Sequence, residues 1–193
     1  MTDVVPIGQV APAIAPRQRC MSGMVVLSAM AVAAVLPWDA SADRWTAVVF
    51  VGGMLAVADV DGRLRRIPNR LVGLQFMTLI AVTAMGTASS SGSIARGLAG
   101  AVGAFAVFFT FRVLAPGGIG MGDVKESIPL GFGLAWFSVG ALVFGIALGF
   151  VINGLAGAAM LVSGRASPKD KLPFGPSLAA GAMIALWFAA RQV

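Results

Sequence analysis

Apolar residues in this chain gather in long uncharged runs, and charge is confined to short stretches between them. Residues 21–38, 45–58, 71–93, 97–111, 127–164 and 172–190 contain no Asp, Glu, Lys or Arg. The run 127–164 is 38 residues long. As one helix it would reach roughly 57 Å at about 1.5 Å per residue, nearly twice a hydrocarbon core of ~30 Å. It must therefore fold back. Pro129, Gly131, Gly133 and Gly140 predict a short helix over about 123–137, a turn, and a longer helix over about 139–163.

The whole pattern predicts helices near 21–38, 45–60, 70–88, 95–114, 123–137, 139–163 and 175–190. That is an all-α integral membrane protein, a polytopic bundle of six to seven transmembrane helices. The count turns on the short helix and on the first segment. Arg17 and Arg19 precede that segment, and Ala40-Ser41-Ala42 has the small-x-small form of a signal-peptidase site. It reads as a retained helix or as a removed signal peptide, and both place residue 43 on the outer side.

Composition narrows the class. Of 193 residues, 58% are hydrophobic and 11% charged, with a mean hydropathy of +0.89. A soluble domain carries about 25% charged residues, so a soluble, disordered or disulfide-scaffold protein is excluded. There is no histidine, and Cys20 is the single cysteine. Zinc sites of the usual kind and Ser-His or Cys-His pairs are therefore excluded. Chemistry is left to carboxylates, lysine, arginine, hydroxyls and backbone, with no metal or cofactor expected.

The basic residues orient the chain. Arg63, Arg65, Arg66 and Arg70 share one loop, Arg112 and Lys125 flank another, and Arg165, Lys169 and Lys171 share a third. Arg96 stands alone near 88–96, and Arg44 is balanced by Asp39 and Asp43. The positive-inside rule puts the three basic loops in the cytoplasm, with a cytoplasmic N-terminal tail over 1–20. Residues 21–193 form a single membrane-embedded domain. The net charge of +6 reflects this topology and not nucleic-acid binding, since the basic residues lack interleaved aromatics.

Acidic residues are scarce: seven Asp and one Glu. Asp3, Asp39, Asp43 and Asp170 fall in a tail or in loops and call for no special account. Asp59, Asp61 and Asp123 stand at the ends of apolar runs. An aspartate in the last turn of a helix faces the negative end of the dipole, so Asp59 and Asp61 are locally unfavourable unless an arginine pairs with them. The stretch 115–125 has glycines at 117, 118, 120 and 122, a broken segment tolerated near a membrane only against protein or a wet cavity. Asp123 follows it, where the next helix begins. Two carboxylates converging near the inner interface share a proton, so one serves as base to a water while the other donates to a carbonyl.

At these residues the chain resembles the type IV prepilin peptidases, membrane aspartyl proteases of the Gly-x-Gly-Asp class. Gly120-Met121-Gly122-Asp123-Val124-Lys125, preceded by Gly118, is similar to the family's second catalytic motif. Asp61, seven residues before Pro68-Asn69, is similar to the first. Pro173-Phe174-Gly175-Pro176 resembles the block before the family's last helix. The motifs run in family order over about 45–190. The resemblance selects Asp61 over Asp59, which lies about 200° round the helix from it. It implies cleavage of leader peptides from pilin-like precursors at the cytoplasmic face of a bacterial inner membrane, beside pilus or secretion machinery. Gly118, Gly120, Gly122, Lys125, Pro68, Asn69, Pro173, Phe174, Gly175 and Pro176 are then supporting residues.

Three departures qualify the resemblance. The bifunctional members carry an N-terminal Cys-pair domain; only Cys20 and a short tail precede the first helix here, which argues against N-methyltransferase activity. Glu126 occupies a position that is usually apolar, where it would perturb the dyad or bind the leader's positive charge. The short architecture resembles the peptidases of Flp-type tight-adherence pili, whereas Pro-Phe-Gly-Pro is nearer the long form. The presenilin group shares Gly-x-Gly-Asp but needs a tyrosine that this chain lacks. The competing class is a small transporter or channel with Asp61 and Asp123 as a proton relay. Elsewhere, Gly145-x-x-x-Gly149 predicts close helix packing within the chain, and Trp38, Trp45 and Trp187 predict interfacial anchors.

Overall fold

The computed structural model describes residues 41–86, 93–115, 118–165 and 172–191. The first apolar segment, its signal-peptide reading, Cys20, Trp38, Lys169 and Lys171 lie outside the described residues. Within them the regular structure is helical: α1 Ser41–Leu64, α2 Asn69–Gly86, α3 Ile94–Leu114, α4 Met121–Phe137, α5 Val139–Val162 and α6 Gly175–Ala189. Two of these, α3 and α5, are long and apolar enough to cross a membrane.

The helices fall close to the predicted ranges, with one instructive departure. Helix α1 begins before residue 45 and continues through Asp59 and Asp61 to Leu64. Its acidic residues do not end it because each finds a partner. Asp43, expected in a loop, is instead buried in the first turn and accepts a hydrogen bond from Trp136 Nε1 at 3.1 Å. Asp59 pairs with Arg63 one turn on, at 2.6 Å.

The fold-back inside the 38-residue run occurs at Ser138. Its backbone is extended, which ends α4, and its Oγ accepts from Gly140 N at 3.0 Å and from Ala141 N at 3.4 Å, which starts α5. This is an N-cap satisfying orphan donors. The carbonyls at the end of α4 are covered by Arg96 of α3. Its Nε donates to Ala135 O at 2.8 Å, and its Nη2 to the carbonyls of Trp136 and Phe137. A cation is well placed there, at the negative end of the helix dipole.

Helix α4 is the centre of the bundle. Leu130, Phe132, Leu134 and Trp136 are fully buried, and α4 packs on α3, α2, α1, α5 and α6. Small residues permit two close contacts. Gly100 of α3 lies against the backbone of α4, so an added Cβ would stand 2.6 Å from Gly131 O. Gly181 of α6 lies against Gly149 of α5, with the equivalent distance to its backbone N 2.6 Å. Gly145 and Gly149 thus serve packing within the chain, as expected. Outward, α5 exposes Val143, Phe144, Val151, Leu155, Leu161 and Val162. A helix apolar on its outer face as well as its inner one suits lipid better than water.

Candidate active site

The C-terminal end of α1, the N-terminal ends of α2, α4 and α6, and the loops between them meet at one end of the bundle. The ends of α1, α2 and α4 and the loops beside them enclose an open cavity of about 740 Å³, with the start of α6 against Asp61. Asp61 and Asp123 both line it, together with Leu64, Arg65, Arg66, Ile67, Pro68, Asn69, Gly120, Met121, Gly122 and Lys125. Asp59 is turned toward Arg63 and is not part of the lining.

Asp61 is buried, and its Oδ2 accepts the backbone N–H of Gly175 at 2.9 Å. Gly175 opens α6. The carboxylate that stands unfavourably at the end of its own helix therefore sits at the positive end of another. A side chain at Gly175 would crowd it, because an added Cβ would lie 3.0 Å from both Asp61 Cβ and Oδ2. Pro176 occupies the first turn of α6, where its missing N–H is not needed.

Asp123 is half-buried in the first turn of α4, two residues past Met121. Its Oδ2 accepts from Gly120 N at 3.1 Å, the reach-back half of a capping box. The glycine stretch before it is tied down by Arg112, whose Nη1 donates to Ile119 O at 2.7 Å. Gly122 brings α4 against the α1–α2 loop, with an added Cβ 3.1 Å from Ile67 Cβ. Asp61 is near enough to act on Asp123 electrostatically.

The supporting residues divide by position. Pro68, Asn69, Gly120, Gly122 and Lys125 line the cavity, and Lys125 Nζ donates to Asn69 Oδ1 at 2.9 Å, joining α4 to α2. Gly118 closes the turn before α4 by donating to Ala115 O at 3.0 Å. Phe174 does not line the cavity; it is buried against Phe150 and Phe108, with ring centroids 5.0 and 6.0 Å away. Pro173 precedes it at the base of α6. Glu126 is fully buried below the cavity, facing Gln75 of α2. Sequence reasoning missed Gln75 and Arg112. Arg112 was legible only as a charge ending an apolar run, and Gln75 only as a polar residue inside one.

Among the described residues, no group of three or more His, Cys, Asp or Glu is arranged to hold a metal ion. The arrangement on hand is two carboxyls at one open cavity, each accepting a backbone N–H, with a third carboxyl buried one turn along α4.

The sequence profile of the type IV leader peptidase family matches residues 48–162. The prepilin leader peptidase/N-methyltransferase of Bacillus subtilis is 31% identical over 161 residues, covering 83% of this chain and 62% of that protein. The protein of the same name from Burkholderia pseudomallei is 30% identical over 83% of this chain and 52% of its own length. Leader peptidase HopD of Escherichia coli is 40% identical over 44% of this chain and 55% of its own length. The chain thus spans a little over half the length of these relatives. No solved structure matches it significantly. Since the family profile runs through the helices that carry both aspartates, and its relatives align over most of the sequence, the chain belongs to the type IV leader peptidase family.

Proposed function

We propose that this chain is a polytopic aspartic endopeptidase of a bacterial inner membrane that removes the leader from pilin-like precursors. Asp61 and Asp123 are its catalytic pair. The observation that carries the reading is the meeting of these two carboxyls in one cavity, each supported at a helix N-terminus.

The reaction follows from that pairing. One carboxylate takes a proton from a water as its oxygen attacks the scissile carbonyl carbon. The other, as the neutral acid, gives its proton to the carbonyl oxygen, leaving a tetrahedral diol. Collapse of the diol breaks the C–N bond as one hydroxyl returns its proton to the carboxylate that had given it, and the departing amine takes the proton that the other carboxyl had drawn from water. Two carboxyls and one shared proton suffice, and both are restored at the end.

The distribution of charge along the bundle supports the membrane reading. Arg63, Arg65, Arg66, Arg70, Arg112, Lys125 and Arg165 stand at the site end of the bundle, against Arg44, Arg96 and Arg191 at the other. By the positive-inside rule this asymmetry supports a cytoplasmic site end, with the six described helices read as membrane segments. A precursor would lay its apolar stem among the helices and bring the bond before it to the cavity.

The test is co-expression with a candidate pilin precursor from the same genome. Wild type and Asp59→Ala shorten the precursor; Asp61→Ala and Asp123→Ala leave it full length. Cleavage by either of the latter two would overturn the pair and favour the proton-relay transporter.

A further inference from the structure

Glu126 lies one helical turn along α4 from Asp123, fully buried, and the mechanism above does not use it. Its carboxyl faces the amide of Gln75 on α2, which is itself 6% exposed. No hydrogen bond joins the two groups. Both oxygens of Glu126, and Oε1 and Nε2 of Gln75, are sealed from water without a partner. Gln75 also lies directly over Gly53 of α1, where an added Cβ would stand 2.6 Å from its Cδ. Gln75 thus touches the helix of Asp61 and faces the helix of Asp123.

Unpaired buried polar groups are costly, and apolar residues of the same shape are often neutral or stabilising in their place. Helix packing alone has no use for this pair. Its position relates it to the aspartates. Glu126 and Asp123 are three residues apart, on one face of α4, and close enough to act on each other electrostatically.

We infer that Glu126, buried facing Gln75, is a positioning residue for Asp61 and Asp123. The pair seats α4 against α2, and through Gln75 against α1, and so sets how Asp123 faces Asp61. The inference rests on those aspartates being the catalytic pair. Reacting groups tolerate little displacement; an error of about 1 Å costs about 10²-fold in rate. Neither Glu126 nor Gln75 lines the cavity, so the effect falls on kcat and not on substrate binding.

The test is steady-state cleavage of a pilin-type precursor peptide by the full chain in detergent, with thermal unfolding of each variant. Glu126→Leu unfolds no earlier than wild type, yet its kcat falls about 10- to 100-fold with KM nearly unchanged. Glu126→Gln keeps the polar contact and restores most of kcat. The exchange Gln75→Glu with Glu126→Gln recovers much of what Gln75→Glu alone loses, as coupled neighbours do. Wild-type kcat in Glu126→Leu overturns the inference, and so does a loss of kcat that only tracks lost thermal stability. Asp61→Asn and Asp123→Asn are run alongside. If they still cleave, the catalytic reading itself fails; if they are inactive while Glu126→Leu is fully active, only the positioning role fails.

Discussion

The backbone N–H of Gly175 donates to the carboxylate of Asp61 at 2.9 Å, across 114 residues of chain. This contact turns the start of α6 into part of the site. It gives a glycine and a proline from the Pro-Phe-Gly-Pro block a physical reason to stand there. The glycine leaves room for the carboxylate, and the proline starts the helix whose dipole faces it.

Replacing Gly175 by valine should therefore disable the proposed cleavage without removing any carboxyl. Its Cβ would begin 3.0 Å from Asp61, and the added methyls have nowhere to go without moving the carboxylate. Cleavage per folded molecule should fall by about tenfold or more. Peptide cleavage normalised to monodisperse protein in detergent measures it.

Asp61→Asn and Asp123→Asn keep shape and remove proton transfer. Each should lower kcat by about 10²–10⁴-fold. Asp59→Ala, which only releases the exposed Arg63, should cleave like wild type and lose less than about 1 kcal/mol of stability. Precursor shortening, followed on gels over time, separates the three.

A carboxyl pair that activates water by proton transfer needs no metal. Incubation with EDTA should leave cleavage unchanged. Inactivation that is reversed by adding back a divalent cation would count against the pair.

Gly181→Leu should unfold the bundle rather than alter its chemistry. The new side chain would begin 2.6 Å from Gly149 N and force α5 away from α6. Overpacking of this kind costs about 1–3 kcal/mol or more. Thermal unfolding in detergent should show the loss, with residual activity following the folded fraction.

Arg96→Met removes the charged donors from the end of α4. Hydrogen bonds to charged groups are worth about 1.5–3 kcal/mol, and the carbonyls of Ala135 and Trp136 would lose theirs. Because α4 carries Asp123 at its other end, stability should fall clearly while the folded enzyme still cleaves. Unfolding and cleavage of the same preparation check both halves.

Much of this protein is legible along the chain. A helix in an apolar solvent must satisfy its backbone internally and carry few charges, so uncharged runs locate helices α2, α3, α5 and α6 closely, while α4 starts in the charged stretch before its run. The fold-back at Ser138 follows because 38 uncharged residues exceed one crossing. The two aspartates stand out because carboxyls are scarce and costly in such a chain. What the chain hides is pairing. Asp43 and Arg96 read as loop charges, yet Asp43 is buried against Trp136 and Arg96 caps α4. Only tertiary packing brings a buried charge the distant partner that makes it tolerable. The same holds at the site. Asp61 is misplaced on its own helix and well placed at the start of α6, and Gln75 reaches over α1 because Gly53 leaves room for it. Local pattern determined the helices and the candidate carboxyls. Long-range contacts decided how those carboxyls are held, because dipoles and hydrogen bonds act through space and not along the chain.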